Sequence, residues 1–283
     1  MDCPWGRNDK MQSDHWSFMD SGRQTPAYNM ALDEYLLNRG AGGRKKPVLR
    51  FYGWDPPGLS IGYFQKTKGR ISSEGIRRHG IKLVRRLTGG QAVLHHHELT
   101  YSVLIPEDDP DMPGSVVGAY RLISEGLLKG FSHLGLHAEL AIPEKKKSHS
   151  HSPVCFEEAS WYELVVEGRK AAGSAQTRQK GMILQHGSIP IDIDREELFD
   201  CFIYPNNRVR DRARQAFLHK AVTIDEIARR RITLDEVKQA FYQGFEQGLG
   251  IKLETEGITR AEEEQVRILA RTKYETDAWN WKR

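Results

Sequence analysis

Arg85-Arg86-Leu87-Thr88-Gly89-Gly90-Gln91-Ala92-Val93-Leu94-His95 reads as the end of one strand, a glycine turn and a second short strand. Ile81–Leu87 has the apolar, β-branched character of a strand, and Thr88-Gly89-Gly90 ends it. Ala92–His95 then resumes extended chain. Glycines between two strands let the backbone approach a ligand and expose its N–H groups. Two arginines just before them suit an anionic group. A tight turn with solvated arginines would use the same residues, so both readings stay open. The stretch is not a Gly-x-x-x-x-Gly-Lys phosphate loop.

Upstream, Thr25-Pro26 opens a helix, because threonine caps orphan N–H groups and proline at the first turn sacrifices no hydrogen bond. Gly40 ends it. Val48–Tyr52 and Leu59–Phe64 are β-rich, with Pro56-Pro57-Gly58 as the turn between them, and Ile71–Arg78 is a short helix. Downstream, Leu99–Ile105 is a further strand. Val116, Tyr120, Ile123, Leu127, Phe131 and Leu134 recur at spacings of three and four, which predicts a buried helix face over Val116–Leu134. Trp161–Val166 and Met182–Ile193 are strands, and Glu167-Gly168 is a turn.

The last third is expected to be helical. Thr223-x-x-Glu226, Thr233-x-x-Glu236 and Thr259-x-x-Glu262 are capping-box patterns, and Leu234, Val237, Phe241 and Phe245 share one helix face. Strands mostly precede helices, which predicts an α+β fold rather than a doubly wound sheet.

The 283 residues suffice for one large domain with its own core. Residues 1–15 are polar and lack the apolar segment of a secretory signal, so a loose tail is expected there, with residues 16–283 as the folded domain and about 205–283 as its helical part. No apolar run reaches the roughly 18 residues a membrane helix needs. Cys3, Cys155 and Cys201 are odd in number and widely spaced, which points to free thiols and a cytoplasmic location. A net charge of +4 permits acidic partners without demanding nucleic acid.

Three further segments bear chemistry. In Gly168-Arg169-Lys170-Ala171-Ala172-Gly173-Ser174-Ala175-Gln176, small residues leave room for a ligand carbonyl and Lys170 offers positive charge; a surface lysine on a hairpin is the plainer alternative. Cys155 follows the polar stretch Lys145–His151 and is expected to be accessible, although a free cysteine is more often a small buried hydrophobe. Cys201, in Leu198-Phe199-Asp200-Cys201-Phe202, fits the buried reading. His95 and His97 would share a face in a strand, but no cysteine or carboxylate cluster completes a metal site, and none is expected.

Taken in order, these segments resemble the biotin/lipoate protein ligase superfamily. The resemblance rests on Asn29-Met30-Ala31-Leu32-Asp33-Glu34, Arg50-Phe51-Tyr52-Gly53-Trp54, Ser60-Ile61-Gly62-Tyr63-Phe64-Gln65, Arg85-Arg86-x-x-Gly89-Gly90, Glu98-Leu99-Thr100-Tyr101-Ser102, Ser160-Trp161-Tyr162-Glu163 and Gly168–Gln176. It covers residues 16–283. It implies a central, largely antiparallel or mixed β-sheet flanked by helices. It also implies an acyl pocket bounded by Arg85, Arg86, Gly89, Gly90 and His95 on one side and by Lys170, Gly173, Ser174 and Ala175 on the other. Cys155 matches the acyl-accepting thiol of the family's octanoyltransferase members. One departure stands out: the family's arginine-glycine motif often ends in His-Asp, where this chain has His95-His96.

The implied reaction is a two-step transfer without a cofactor. Octanoyl-acyl carrier protein is the donor, Cys155 holds the octanoyl group as a thioester, and Lys170 assists catalysis. The acceptor is a lysine of the glycine cleavage H protein or another lipoyl-domain protein. Burying the acyl chain contributes about 5 kcal/mol, so an apolar slot is expected. Arg77, Arg78, Arg208, Arg210, Arg212 and Arg214 are candidates for steering acidic partners. The expected enzyme is monomeric and engages neither nucleic acid nor membrane. Alternatives on the same fold are an ATP-dependent lipoate ligase and a transferase between lipoyl-domain proteins. A regulatory nucleic-acid binder and a non-catalytic acyl carrier come from other classes.

Overall fold

The computed structural model describes residues 14–43, 46–141 and 163–283. In chain order its elements are β1 (His15–Gln24), α1 (Pro26–Ala41), β2 (Val48–Trp54), β3 (Gly58–Ile61), α2 (Ser73–Arg78), β4 (Lys82–Arg85), β5 (Val93–His95) and β6 (Glu98–Pro106). There follow α3 (Val116–His133), β7 (Glu139–Ala141), β8 (Glu163–Val166), β9 (Arg169–Gln179), β10 (Met182–Pro190), α4 (Arg195–Asp200), α5 (Asn207–Lys220) and α6 (Ile224–Ala228). The chain continues through α7 (Leu234–Leu249), β11 (Lys252–Thr255), α8 (Arg260–Leu269), a π-helical turn (Ala270–Tyr274) and α9 (Asp277–Asn280).

An eight-stranded sheet in the order β11-β1-β2-β6-β10-β9-β8-β7 carries the fold, beside a three-stranded sheet β4-β3-β5. In the large sheet β1 runs parallel to both β2 and β11, and every other neighbouring pair is antiparallel. The expected α+β architecture with a mixed sheet flanked by helices is therefore the one found.

Side-chain alternation explains the layers, because successive residues of a strand point to opposite faces. Leu49 and Phe51 of β2 and Leu99, Tyr101, Val103 and Ile105 of β6 join the core that contains α3 and α7. The residues between them turn to the opposite face. There Val48, Leu104, Met182 and Leu184 pack with Met30, Ala31, Leu36 and Leu37 of α1 and with Val266 of α8. Further along the same face the side chains become polar: Arg50, Thr100, Ser102, His186 and Ser188, all buried. A third core links the small sheet, through Leu59, Ile61 and Val93, to Leu198 and Phe199 of α4 and Phe217 of α5. The cavity described below lies where the polar half of the large sheet meets the small sheet.

Local signals in the sequence do the work expected of them. The Thr25 hydroxyl accepts the Tyr28 N–H at the start of α1. All three capping boxes form, at Thr223, Thr233 and Thr259. The predicted face of α3 is narrower than expected: Ile123, Leu127 and Phe131 are buried, whereas Val116 at its first turn is exposed.

Four strands depart from the sequence expectations. β1 starts at His15, inside the expected tail, and β11 interrupts the expected helical third; each pairs in parallel with a strand distant in sequence. β7 is a short edge strand, and β9 is so rich in small and polar residues that it lacks the apolar alternation of a strand. Of the strand expected over Trp161–Val166, residues 161 and 162 lie outside the described residues.

Helices α3 and α7 cross on glycines: Gly244 and Gly248 of α7 lie against the α3 backbone at Gly130 and Gly126, and Gly126 and Gly130 make room for the rings of Phe245 and Phe241. A Cβ on Gly244 would lie 2.3 Å from the backbone nitrogen of Gly130, which a rigid helix cannot yield. Gly244→Ala is expected to destabilise the fold by about 1–3 kcal/mol, read as a lower urea midpoint at unchanged m-value.

Candidate functional site

A cavity of about 200 Å³ opens between the two sheets. Ser60, Val93 and His95 of the small sheet and Arg86, Gly90 and Gln91 of the glycine turn form one wall. Lys170, Gly173, Ser174 and Ala175 of β9 and His186, Gly187 and Ser188 of β10 form the other. Met30, Tyr52 and Trp54 supply apolar surface.

Lys170 is brought inward by a bulge. Leu164 pairs with Ala172 but Val165 pairs with Lys170, so β9 carries one extra residue at Ala171. A bulge re-aims side chains, and here both Lys170 and Ala171 are buried. The Lys170 ammonium donates to Glu163 Oε1 at 2.6 Å, forming a buried ion pair at the cavity wall. The surface-lysine alternative is thereby excluded. Glu163 was not singled out chemically in the sequence. Hairpin arithmetic carries its signal: a turn at Glu167-Gly168 sets Val165 opposite Lys170, and Glu163, two residues back on the same face, lies diagonally across from the lysine.

The glycine turn is held by Arg86, whose Nη2 donates to the carbonyls of Gly89 (2.7 Å) and Gln91 (2.8 Å). Its Nη1 donates to the Ser60 carbonyl at 3.1 Å and its Nε to Thr88 Oγ1 at 3.1 Å. Arg85 points the other way. Its guanidinium donates to the carbonyls of Gly62, Tyr63 and Gln65 and to those of Trp279 and Asn280. Neither arginine is solvated, so the tight-turn alternative with solvated arginines fails. The donors given above are spent on neutral oxygens of the chain itself. Arg85 and Gly89 do not line the cavity, whereas Arg86, Gly90, His95, Lys170, Gly173, Ser174 and Ala175 do.

Two polar chains cross the cavity floor. In the first, Thr88 Oγ1 meets His186 Nε2 at 2.7 Å, and His186 Nδ1 meets Asp33 Oδ2 at 3.3 Å. Asp33 also accepts from Arg50 (2.8 Å), Ser102 (2.9 Å) and Tyr52 (3.2 Å). Burial alone would push the Asp33 carboxyl up, but Arg50 and His186 outweigh it and hold it below the ordinary value. Burial pushes the His186 imidazole below its usual range despite Asp33. In the second chain, Ser60 Oγ meets His95 Nε2 at 2.7 Å and His95 Nδ1 meets Glu98 Oε1 at 2.6 Å. Trp54 stacks on the His95 ring at 4.1 Å.

In the sequence Asp33 and Glu98 stand only within the family-like segments Asn29–Glu34 and Glu98–Ser102, and no motif marks His186. The signal for His186 was alternation: Leu184, His186 and Ser188 occupy one face of β10.

The remaining candidates are accounted for as follows. Strand β5 ends at His95, so His95 and His97 share no strand face. His95 bonds Glu98, and His96 bonds Glu197 at 2.8 Å. Among the described residues no three His, Cys, Asp or Glu side chains gather to hold a metal. Cys201 is buried, its thiol donates to the Glu197 carbonyl, and burial pushes its pKa up to about 12, so it is the inert cysteine expected. Cys155 and Cys3 lie outside the described residues. Arg210 bonds Glu196 and Asp200, Arg214 pairs with Glu196, and Arg78 pairs with Glu74 and Asp200; Arg77, Arg208 and Arg212 are exposed. No helix among the described residues is long and apolar enough to cross a membrane.

The family model described as "Lipoyl protein ligase A/B catalytic domain" matches residues 25–246, and the chain belongs to that family. Among curated relatives, "Octanoyltransferase LipM" of Geobacillus kaustophilus is 56% identical over 96% of this chain and 100% of its own length. The protein of the same name from Bacillus subtilis is 54% identical over the same shares, and that of Staphylococcus aureus 50% identical over 95% and 99%. Among solved structures, a bi-partite lipoate protein ligase of Thermoplasma acidophilum superposes with a TM-score of 0.78 at 25% identity, covering 94% of this chain and 96% of its own. Lipoate-protein ligase A bound with ATP superposes at 0.74 with 26% identity, covering 94% and 98%.

The neutral His186 has a consequence for pH. Its folded pKa lies below the unfolded value of about 6.5, so between the two the unfolded chain binds more protons. Stability is therefore full above about pH 6.5 and falls as pH drops toward the folded pKa. Melting temperatures measured between pH 8 and pH 5.5 are expected to fall, and to fall less in His186→Asn.

Proposed function

We propose that this acyltransferase of lipoate biosynthesis takes its octanoyl group from octanoyl-acyl carrier protein and delivers it to a lysine of a lipoyl-domain protein, the glycine cleavage H protein being the first candidate. The observation that carries the reading is the cavity with Lys170 buried in its wall, in a chain 48–56% identical nearly end to end to octanoyltransferases.

The reaction runs in two steps through Cys155. The Cys155 thiolate adds to the donor's thioester carbonyl and expels the carrier's thiolate, which takes up a proton. The acceptor amine then adds to the Cys155 thioester, Cys155 leaves, and the amine's proton returns to it. Exchange between thioesters is nearly balanced and amide formation runs downhill. The Lys170–Glu163 pair supplies a group that gives a proton to the leaving sulfur and recovers it from the incoming amine. The backbone N–H groups beside Gly90 and Gly173 are the candidates to receive the carbonyl oxygen's charge. Tyr52, Trp54 and Val93 offer the octanoyl chain apolar surface, and its burial contributes about 5 kcal/mol.

A second reading, an ATP-dependent lipoate ligase, draws on the likeness to lipoate-protein ligase A bound with ATP. Intact-protein mass spectrometry separates the two. With octanoyl-acyl carrier protein and no ATP, wild type is expected to gain one octanoyl group on the peptide that holds Cys155, removed by hydroxylamine, and Cys155→Ala to gain none on that peptide. An unmodified wild type that transfers octanoate only when ATP is added would overturn the thioester route. Lys170→Arg keeps a cation opposite Glu163. It is expected to fold with a similar melting temperature and to lose about 100-fold or more in transfer rate.

A further inference from the structure

Ser60, His95 and Glu98 are a serine, an imidazole and a carboxylate in hydrogen-bond sequence, and Ser60 and His95 both face the cavity. Their relative exposures are 2%, 5% and 5%, and the cavity is the opening that reaches Ser60 and His95. The surrounding donors fix where the protons sit. Trp54 Nε1 donates to Thr100 Oγ1 at 2.7 Å, which directs the Thr100 hydroxyl proton to Glu98 Oε1. Ser188 donates to Glu98 Oε2. Glu98 thus accepts on both oxygens and takes the His95 Nδ1–H as well. With Nδ1–H directed at Glu98, His95 Nε2 is the ring nitrogen that faces Ser60. Arg86 Nη1 donates to Ser60 Oγ at 3.2 Å, so the Ser60 proton is the one that faces His95. Stacking on Trp54, with ring planes 12° apart, holds the imidazole in that orientation.

A serine hydroxyl directed at a histidine lone pair, with a carboxylate behind the histidine, is the arrangement that makes serine a nucleophile. We propose that Ser60, His95 and Glu98 form a second acyl-transfer relay in the same cavity, which hydrolyses medium-chain acyl esters and thioesters independently of Cys155. Ser60 Oγ adds to the acyl carbonyl carbon while its proton passes to His95 Nε2. The tetrahedral adduct expels the alcohol or thiol, which takes that proton and leaves an ester on Ser60. Water then gives a proton to His95, adds to the ester and expels Ser60, which regains the proton; the free carboxylic acid departs. The Arg86 guanidinium beside Ser60 favours the negative charge of each adduct.

In the transferase such a relay would discard an acyl group when no acceptor amine arrives. The Ser60 chemistry does not depend on the cysteine thioester, and the test separates them by starting from Cys155→Ala. That variant is expected to hydrolyse p-nitrophenyl octanoate, and a fluorophosphonate probe is expected to add to Ser60, located by peptide mass spectrometry. Adding Ser60→Ala is expected to lower hydrolysis about 100-fold and to abolish labelling, and His95→Gln to do the same. Ser60→Cys in the same background is expected to restore an acyl adduct at position 60. A merely structural role for Ser60 would change melting temperature without producing any adduct. Absence of the fluorophosphonate adduct on Ser60, or hydrolysis unchanged by Ser60→Ala, would overturn the proposal.

Discussion

The buried ion pair between Asp33 and Arg50 is the contact on which the arrangement of the molecule turns. Arg50 is fully buried and Asp33 nearly so. Neither charge could leave water unless the other came with it, because an unpaired buried ion costs several kcal/mol. Three further donors of Arg50 go to the Asn29 carbonyl, Asn29 Oδ1 and Ser21 Oγ, and its guanidinium lies over the Tyr52 ring. Asp33 in turn takes Ser102 of β6, Tyr52 of β2 and His186 of β10. One pair of charges therefore sets the angle of α1 against the three central strands.

From that hub the polar half of the sheet follows. His186 hands the network to Thr88, Thr88 meets Arg86, and Arg86 reaches Ser60 and the glycine turn. The small sheet is thus tied to the large one by directional bonds across a gap that apolar packing does not fill, and that gap is the cavity. Arg85 ties the same strand to the end of the chain: its backbone N–H donates to Asn280 Oδ1 and its carbonyl accepts from Trp279 Nε1. Adjacent residues of an extended strand face opposite ways, so one arginine braces the cavity and its neighbour braces the C-terminal segment.

A chemically permissive cavity emerges from these constraints. Its polar groups are fixed by partners outside the substrate path, which leaves its rim to glycines and small residues that a carbonyl can approach. Lys170 is presented by a bulge and balanced by Glu163. His95 is oriented by Glu98 and Trp54. Three titratable side chains at the wall are therefore held by separate carboxylates: Lys170 by Glu163, His95 by Glu98 and His186 by Asp33.

Sequence by itself determined whatever depends on near neighbours. The capping boxes at Thr223, Thr233 and Thr259, the start of α1 at Thr25 and the buried faces of α3 and α7 were legible, because a helix is stabilised within a few residues of itself. The motif order also made the family and the two walls of the cavity legible: Arg86, Gly90, His95, Lys170, Gly173, Ser174 and Ala175. Tertiary structure alone decided what depends on distant pairing. β1 and β11 are strands because each finds a parallel partner far along the chain, and β9 is a strand because β10 completes its hydrogen bonds. It also decided that the guanidiniums of Arg85 and Arg86 serve backbone carbonyls. Spacing along the chain does not say which acceptor a buried donor will meet; only the packing of one sheet against the other does.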